Sequence, residues 1–593
     1  MRESRIDSKS GRPLLYIDGN PEPACAYITY LDERSRYTDF IKEGYSLFSV
    51  CASFSGLPLN ASTGITPLYG IFDQKGKPDF SRFDESIKSI ADACPHARIF
   101  PRVRISMPQW WVDEHPDQCC HTPDGKMREA LFSDEFKNQG CLMLEEFISH
   151  IQASDYKDNI IGYQIAGGQT EEWFHFDLSG SISPCAQNIF NEYLSENYPD
   201  ICLEKAEIPK PDDIENLTGY IEDELLRRYL EFSDISIAKT VECFARKIKE
   251  LTGYRQVVGA FFGYVAGVFK PLHGAGGLGM LLNSPCVDFF CSPNQYAFQR
   301  ALGRDWTEYL PGESVKLHGK LYFLENDIRT CLTKFPNECR PGLDPKGIYT
   351  SAVWKGPDSI ERSVWAVRKA FARQITHSNG LWWFDMWGGW YACEPLMNEM
   401  RISRELMAEI TYGDTPQTHC QAALIIDETY PHRVGYSDPS FGLRTVFLNA
   451  LGNTGIPYDI LLLEDYKHLK GYKAVILPYS EKYDSPSMIR LKEFCQANNI
   501  AILQGSDRDI DLTSDELRAR LTKLGVHCYI ESGDVIYSGS GYLAIHALTK
   551  GQKTVVLPRT AQITPLDKSG SSFFGDRIDI SMKTYETRIF RTE

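Results

Sequence analysis

"KLYFLENDIRT", Lys320–Thr330, opens as a strand and closes on charge. Leu321, Tyr322, Phe323 and Leu324 are apolar in succession; Glu325, Asp327 and Arg329 follow within five residues. A continuous apolar run reads as a strand buried on both faces. Its charged end is either a solvated turn or the point where a buried strand delivers side chains to a site. The neighbouring sequence decides between them.

Working outward, seven more runs of the same kind come into view: "PACAYITYL", "YSLFSVCASF", "ARIFPRVRIS", "NIIGYQIAGG", "RQVVGAFFGYVAG", "SPCVDFFCSPNQY" and "LWWFDMWGGWY". The 320–330 stretch is seventh of the eight. Between most of them the apolar spacing turns helical, as in "DFSRFDESIKSIADACP" and "SDEFKNQGCLMLEEFISHIQAS", the latter opened by a Ser133 or Asp134 cap. "IEDELLRRYLEFSDISIAKTVECFARKIKELTG" is the longest helical pattern, and "SIERSVWAVRKAFARQITHSNG" stops at Asn379-Gly380. Eight buried strands alternating with helices predict a parallel (β/α)8 barrel over residues 1–413. After Thr411 the rhythm changes. "QAALIIDE", "PYDILLLEDY", "YKAVILPYS" and "IAILQG", interleaved with helices, predict a flavodoxin-like open α/β domain over 414–531. It carries no GxGxxG or other phosphate loop. The short strands from 532 to 593, with alternation in "RIDISM", predict a small C-terminal β-sandwich.

Composition narrows the function classes. A formal net charge of −16 and no basic run weigh against nucleic-acid binding. No stretch approaches the roughly 18 apolar residues of a membrane span, and "MRESRIDSKSGRPLLYIDG" lacks the apolar core of a secretory signal. The 17 cysteines are odd in number and follow no framework, which predicts free thiols and a cytoplasmic setting. "CCH" at Cys119, Cys120 and His121 has poor chelate spacing and no CxxC partner, so neither a metal nor another cofactor is expected.

In such a barrel the chemistry sits at the C-terminal strand ends. Strand three carries Arg102 and Arg104 on one face. Strand four runs into "GGQTEEWFH" with Glu171 and Glu172, and strand six ends near Asn294 and Tyr296. Strand seven ends at Glu325, Asp327 and Arg329; strand eight leads to Asp385, Trp387 and Trp390. Each has a plainer reading: "TEEW" as a helix start, Asp327 and Arg329 as a surface pair, the tryptophans as core. Carboxylates closing both the fourth and the seventh strands nonetheless suit retaining glycoside cleavage. One attacks the anomeric carbon, while the other protonates the leaving oxygen and then activates water. Glu172, beside the apolar Trp173, is the expected acid/base, with Glu171 as alternate. Glu325 is the expected nucleophile, with Asp327 as alternate. Arg104 or Arg329 would hold the nucleophile ionised, and the strand-eight aromatics offer a sugar platform.

With these residues in place, the chain resembles a clan A glycoside hydrolase, and more narrowly the family 42 β-galactosidases. "FDQKGKPDFSRFDESIKSIADA", "ISMPQWWVDEHPDQ" with the following "PDGK", and "IGYQI" are similar to that family's motifs. The resemblance implies an exo-acting β-glycosidase acting on short oligosaccharides or aryl glycosides, with no cofactor. It implies sugar contacts from Trp110 and Asn294, and from Tyr296 a hydrogen bond to the nucleophile. It also implies a homotrimer built through the middle domain. The sequence departs from the family at strand four: Asn-Glu is replaced by "GGQTEEW", so the Asn contact to the sugar 2-hydroxyl is missing. That departure, with the "LENDIRT" context, makes the chain look like a divergent relative such as the family 164 β-mannosidases.

Overall fold

The computed structural model describes residues 2–593 apart from 60–64, 66–68, 178–182, 202–206, 210–213, 215, 268–271, 415–419 and 568–571. Eight strands close into a barrel: β1 (Cys25–Ile28), β2 (Leu47–Ser53), β3 (Arg98–Ile105), β4 (Gly162–Gly167), β5 (Val257–Phe261), β6 (Phe289–Pro293), β7 (Leu321–Asn326) and β8 (Gly380–Phe384). Every neighbouring pair is parallel, and β8 pairs with β1 to complete the ring. These are the eight runs that the sequence predicts as barrel strands.

Helices cover the outside: α1 (Tyr37–Lys42), α2 (Ser81–Ala93), α3 (Asp134–Ala153), α4 (Glu224–Leu251), α5 (Leu278–Asn283), α6 (Gly312–Leu317), α7 (Ile360–His377) and α8 (Glu394–Tyr412). Their starts are written in the sequence. Ser133 accepts from the Phe136 N–H at 3.4 Å, and Asp223 and Ser359 cap α4 and α7 in the same way. The sequence reading did not find α5 and α6, because six residues hold too few turns for a periodic signal. It also stopped short of α8 and of an antiparallel sheet (4–9, 12–17, 20–22). Ser4 ties that sheet to the N-terminal ends of β4 and β5, through the Ile161 carbonyl and the Val257 N–H.

The lower barrel is filled by aromatics. Phe100, Phe289, Phe323 and Trp382 meet at centroid distances of 5.2–6.5 Å. Burying each ring contributes about 1.5–3 kcal/mol. Their bulk is accommodated because β5 offers Gly259, where a Cβ would lie 2.1 Å from the Phe289 ring. Inward positions alternate along each strand. Thus Phe100 and Phe323 lie in the aromatic layer, while Arg102 and Glu325, two residues on, lie in the polar layer above it.

Beyond the barrel, β9 (Ala422–Ile426), β10 (Tyr458–Leu462), β11 (Ala474–Ser480) and β12 (Ala501–Gly505) form a parallel sheet in the order β10-β9-β11-β12. This is the start of the flavodoxin-like order. The last strands, β13 (Val535–Gly539), β14 (Tyr542–His546), β15 (Gly551–Pro565), β16 (Phe573–Met582) and β17 (Thr587–Thr592), pair in the order β13-β14-β17-β15-β16. They are antiparallel throughout and carry their own apolar cluster around Leu543, Val555, Ile563 and Ile578. β14 is a strand that the sequence reading missed. Among the described residues no helix is long and apolar enough to cross a membrane. The described cysteines are all free thiols. Cys119–His121 forms one strand of a hairpin with Met127–Glu129, and its thiols face the His115 and Glu129 carbonyls.

Candidate active site

The segment after β4 turns back on itself within six residues. Gly168, Thr170, Glu171 and Trp173 all have positive φ, at 67°, 57°, 78° and 65°. Three of these are not glycine, and such a conformation costs of order 1–3 kcal/mol per residue. The surroundings hold it in place. Trp173 is fully buried, and its N–H donates to the Gly167 carbonyl at 2.8 Å. Gln169 N–H donates to Phe174 O at 2.9 Å, and Thr170 N–H to Leu59 O at 3.0 Å. Gly167 admits the Trp173 ring, which a Cβ there would meet at 2.7 Å. "TEEW" is therefore a strained reversal and not a helix start.

The reversal sends the two glutamates different ways. Glu171 points into the barrel, fully buried. Tyr30, just beyond β1, donates to its Oε2 at 2.5 Å, and Arg102 Nη1 stands 3.5 Å from the same oxygen. Glu172 is half-buried at the mouth, with its Oε2 shielded from solvent, and Tyr264 donates to its Oε1 at 3.2 Å. Burial pushes the Glu172 carboxyl well above the usual carboxylate range. The nearby Glu171 and Glu325 charges add to this, and a Thr170 hydrogen bond opposes it.

Glu325 is the penultimate residue of β7 and is bound by Arg102 Nη2. The Arg102 Nε donates to Gln164 Oε1 on β4 at 2.8 Å, so the guanidinium is fixed by three strands. Burial raises the Glu325 carboxyl to about 7, even with Arg102 pulling it down. Asp327 and Glu171 push it further up. Asp327 itself is fully engaged. It contacts Arg300, accepts from Arg329 Nη1 at 2.9 Å and accepts from the Tyr296 hydroxyl at 2.8 Å.

Glu172, Glu325, Asp327, Tyr296 and Trp387 line one cavity of about 200 Å³, walled also by Tyr30, Phe261, Tyr349 and Trp354. Arg329 flanks it, with its guanidinium over the Trp354 ring at 4.1 Å.

The structure gives other work to several residues expected to bind sugar. The guanidinium at the Glu325 carboxylate is Arg102. Arg104 instead donates to the carbonyls of Ser55, Leu57 and Pro58, at 3.3, 2.8 and 2.9 Å, and secures the loop after β2. Arg329 serves Asp327. Tyr296 likewise bonds Asp327 and not Glu325. Asn294 donates to Trp306 O at 2.7 Å. Trp110 donates to Phe72 O at 2.9 Å, away from the cavity. Asp385 accepts from Tyr27, Gly389 N–H and Trp390 N–H, pinning the loop after β8, and Trp390 is core. Arg104, Asn294 and Trp110 are claimed by backbone carbonyls, Arg329 and Tyr296 by the Asp327 carboxylate, and Asp385 by Tyr27 and two backbone N–H groups, none of which sequence spacing reveals. Tyr30, Tyr264, Gln164 and Arg300 were overlooked. Tyr30 and Tyr264 follow β1 and β5, strand ends where the sequence reading sought no polar group.

A closed (β/α)8 barrel with carboxylates at the ends of its fourth and seventh strands, followed by an open α/β sheet and a β-domain, resembles the clan A glycoside hydrolases of family 42. No family model and no curated protein sequence matches the chain. The likeness lies in solved structures. A β-galactosidase from the Antarctic haloarchaeon Halorubrum lacusprofundi shares 15% identity at a TM-score of 0.61, over 96% of this chain and 99% of that one. The cold-adapted β-galactosidase of Rahnella sp. R3 gives 11% and 0.63, over 96% and 98%. A family 42 β-galactosidase from G. stearothermophilus gives 11% and 0.61, over 94% and 95%. At these identities the likeness is one of fold, and it extends over nearly the whole chain.

Proposed function

We propose that the chain is an exo-acting retaining β-glycosidase, of β-mannosidase or β-galactosidase type, hydrolysing short oligosaccharides. The observation that carries this is the shared cavity: Glu172 from the β4 turn and Glu325 from β7 line the same small space. Glu325, fixed by Arg102, attacks the anomeric carbon. Glu172, held protonated by its buried setting, gives its proton to the leaving oxygen. A water deprotonated by Glu172 then releases the sugar from Glu325. Glu171 is screened from the cavity behind Tyr30 and acts through Arg102. Asp327 has its oxygens occupied by two arginines and a tyrosine, which makes it a poor nucleophile.

The cavity volume supports exo action. About 200 Å³ is below the ~300–1,000 Å³ of drug-sized sites and suits a single ring. Trp387, Trp354 and Tyr349 supply the aromatic walls. "GGQTEEW" leaves no Asn beside the acid, so the 2-hydroxyl is read by other groups; this favours a manno-type sugar over a galacto-type one. The free thiols support a cytoplasmic setting, and the likeness of the middle domain supports a trimer.

A panel of aryl β-glycosides tests the reading. Turnover of one β-configured sugar, with a large loss in both Glu172→Gln and Glu325→Gln, is the expected result. Near-normal turnover in either variant removes that residue from its role. Glycan binding with no hydrolysis of any member would make the chain a non-catalytic glycan-binding or scaffold member of the same fold. A monomeric mass in solution would overturn the trimer.

A further inference from the structure

Where the barrel meets the open α/β sheet, three different ligand atoms converge. His377 ends α7, Asp459 lies on β10, and Cys420 lies two residues before the start of β9. The imidazole nitrogen, thiol sulfur and carboxylate oxygen all lie within 4.8 Å of one another. None of these residues takes part in the proposed glycosidase chemistry.

The hydrogen bonds around the cluster fix how each group presents itself. His377 Nδ1 lies 2.9 Å from the Arg373 carbonyl, which can only accept. Nδ1 therefore carries a proton, and Nε2 is the nitrogen that faces the cluster. That Nε2 is buried and has no hydrogen-bond partner. It faces Asp459 Oδ1 at 3.9 Å, beyond hydrogen-bonding range. The other Asp459 oxygen, Oδ2, is occupied by Tyr472 Oη at 2.7 Å and the Cys420 N–H at 2.9 Å. The carboxylate is thus oriented with Oδ1 toward the imidazole. A buried imidazole nitrogen left without a hydrogen-bond partner is costly, and a metal ion placed among the three ligand atoms would satisfy it. Two of the three ligands also have an outer partner of the kind that orients metal ligands: a backbone carbonyl on the imidazole N–H, and a hydroxyl on the carboxylate.

We propose that His377, Cys420 and Asp459 bind a divalent transition-metal ion of the zinc class, clasping the barrel to the open α/β sheet. One nitrogen, one sulfur and one oxygen are the ligand types zinc takes, at about 2.0–2.3 Å from the metal. Sulfur in the set disfavours magnesium and calcium. Metal binding would take the Cys420 thiol as its thiolate, with release of the thiol proton. Access exists: Cys420 is half-buried and lines a cavity of about 380 Å³, together with Gln421, Pro457, His527 and Arg559.

The test uses the full chain, stripped of metal and titrated with Zn2+ alone against a chromogenic chelator, and separately with Co2+. The expected result is one Zn2+ per chain and a higher melting temperature with Zn2+. Co2+ should give a thiolate-to-cobalt absorption in the near ultraviolet. Cys420→Ser should abolish that band and weaken Zn2+ at least ~100-fold, and Tyr472→Phe, an outer partner, should weaken it ~10–100-fold. Cys119→Ser/Cys120→Ser should leave both intact. The proposal is overturned if the wild-type chain takes up no Zn2+ or gives no cobalt–thiolate band. It is equally overturned if Cys420→Ser binds as tightly as the wild type. Should the variants fail to fold, the wild-type cobalt spectrum and Zn2+ melting shift decide alone.

Discussion

Arg102, on the third barrel strand, grips Glu325, on the seventh, across a sequence separation of 223 residues. The same guanidinium stands 3.5 Å from Glu171, so one cation is shared between two buried carboxylates. This sharing leaves Glu325 only partly neutralised and sets the terms of the predictions below.

The roles of Glu172 and Glu325 separate by leaving group. Protonation of the leaving oxygen matters little when that oxygen is already a good leaving group. Glu172→Gln should therefore lose ~10²–10⁴-fold on an alkyl glycoside or disaccharide but far less on a dinitrophenyl glycoside. Glu325→Gln should lose activity on both. Equal losses on the two substrate types in Glu172→Gln would remove it as the acid.

The pH profile follows from the two carboxyls. Glu325 must be ionised to attack, so kcat/KM should rise with pH through about 7. Glu172 must be protonated, and burial raises its carboxyl well above the usual carboxylate range, so the profile should fall on the alkaline side, the two limbs belonging to the coupled pair. Glu171→Gln removes a charge that raises Glu325 and leaves Arg102 undivided, so its acid limb should move to lower pH. Arg102→Gln should move it to higher pH. Movement in the reverse directions would refute the shared-cation account.

Stability should respond to pH at the same residue. The folded chain holds the Glu325 proton up to about pH 7, whereas an unfolded glutamate releases it near 4.3. A raised folded value means that stability falls as pH rises between those limits. Glu325→Gln should therefore gain stability relative to wild type on going from pH 5 to pH 8, by up to about 3 kcal/mol. Denaturation midpoints at both pH values measure this; a gain independent of pH would sink it.

The strained turn is testable at Gly167. A methyl group there meets the Trp173 ring at 2.7 Å and must displace the segment that carries both glutamates. Gly167→Ala should cut kcat by about 10²-fold, since displacements near 1 Å have that effect. Unchanged kcat would mean that the turn does not position the acid.

The barrel was legible because its strands are continuous apolar runs and its long helices carry capping residues such as Ser133 and Ser359. Short helices such as Leu278–Asn283 were not, since one and a half turns leave no period to detect. The candidate site was legible at the level of strand ends: Glu172, Glu325, Asp327, Tyr296 and Trp387 do converge on one cavity. Asn294, Asp385 and Arg104 were misjudged because a polar residue near a strand end can equally serve a loop carbonyl or N–H.

"KLYFLENDIRT" thus determined by itself that a buried strand ends in charge, through the solvation preference of its apolar half. Which charge faces the cavity was decided by tertiary structure. Arg102, Glu171 and Tyr30 come from three other strands, and their fields and hydrogen bonds act only across the closed barrel. The divergence of Glu171 and Glu172 arises in the same way, from a backbone reversal stabilised by Trp173 packing that adjacent letters do not encode.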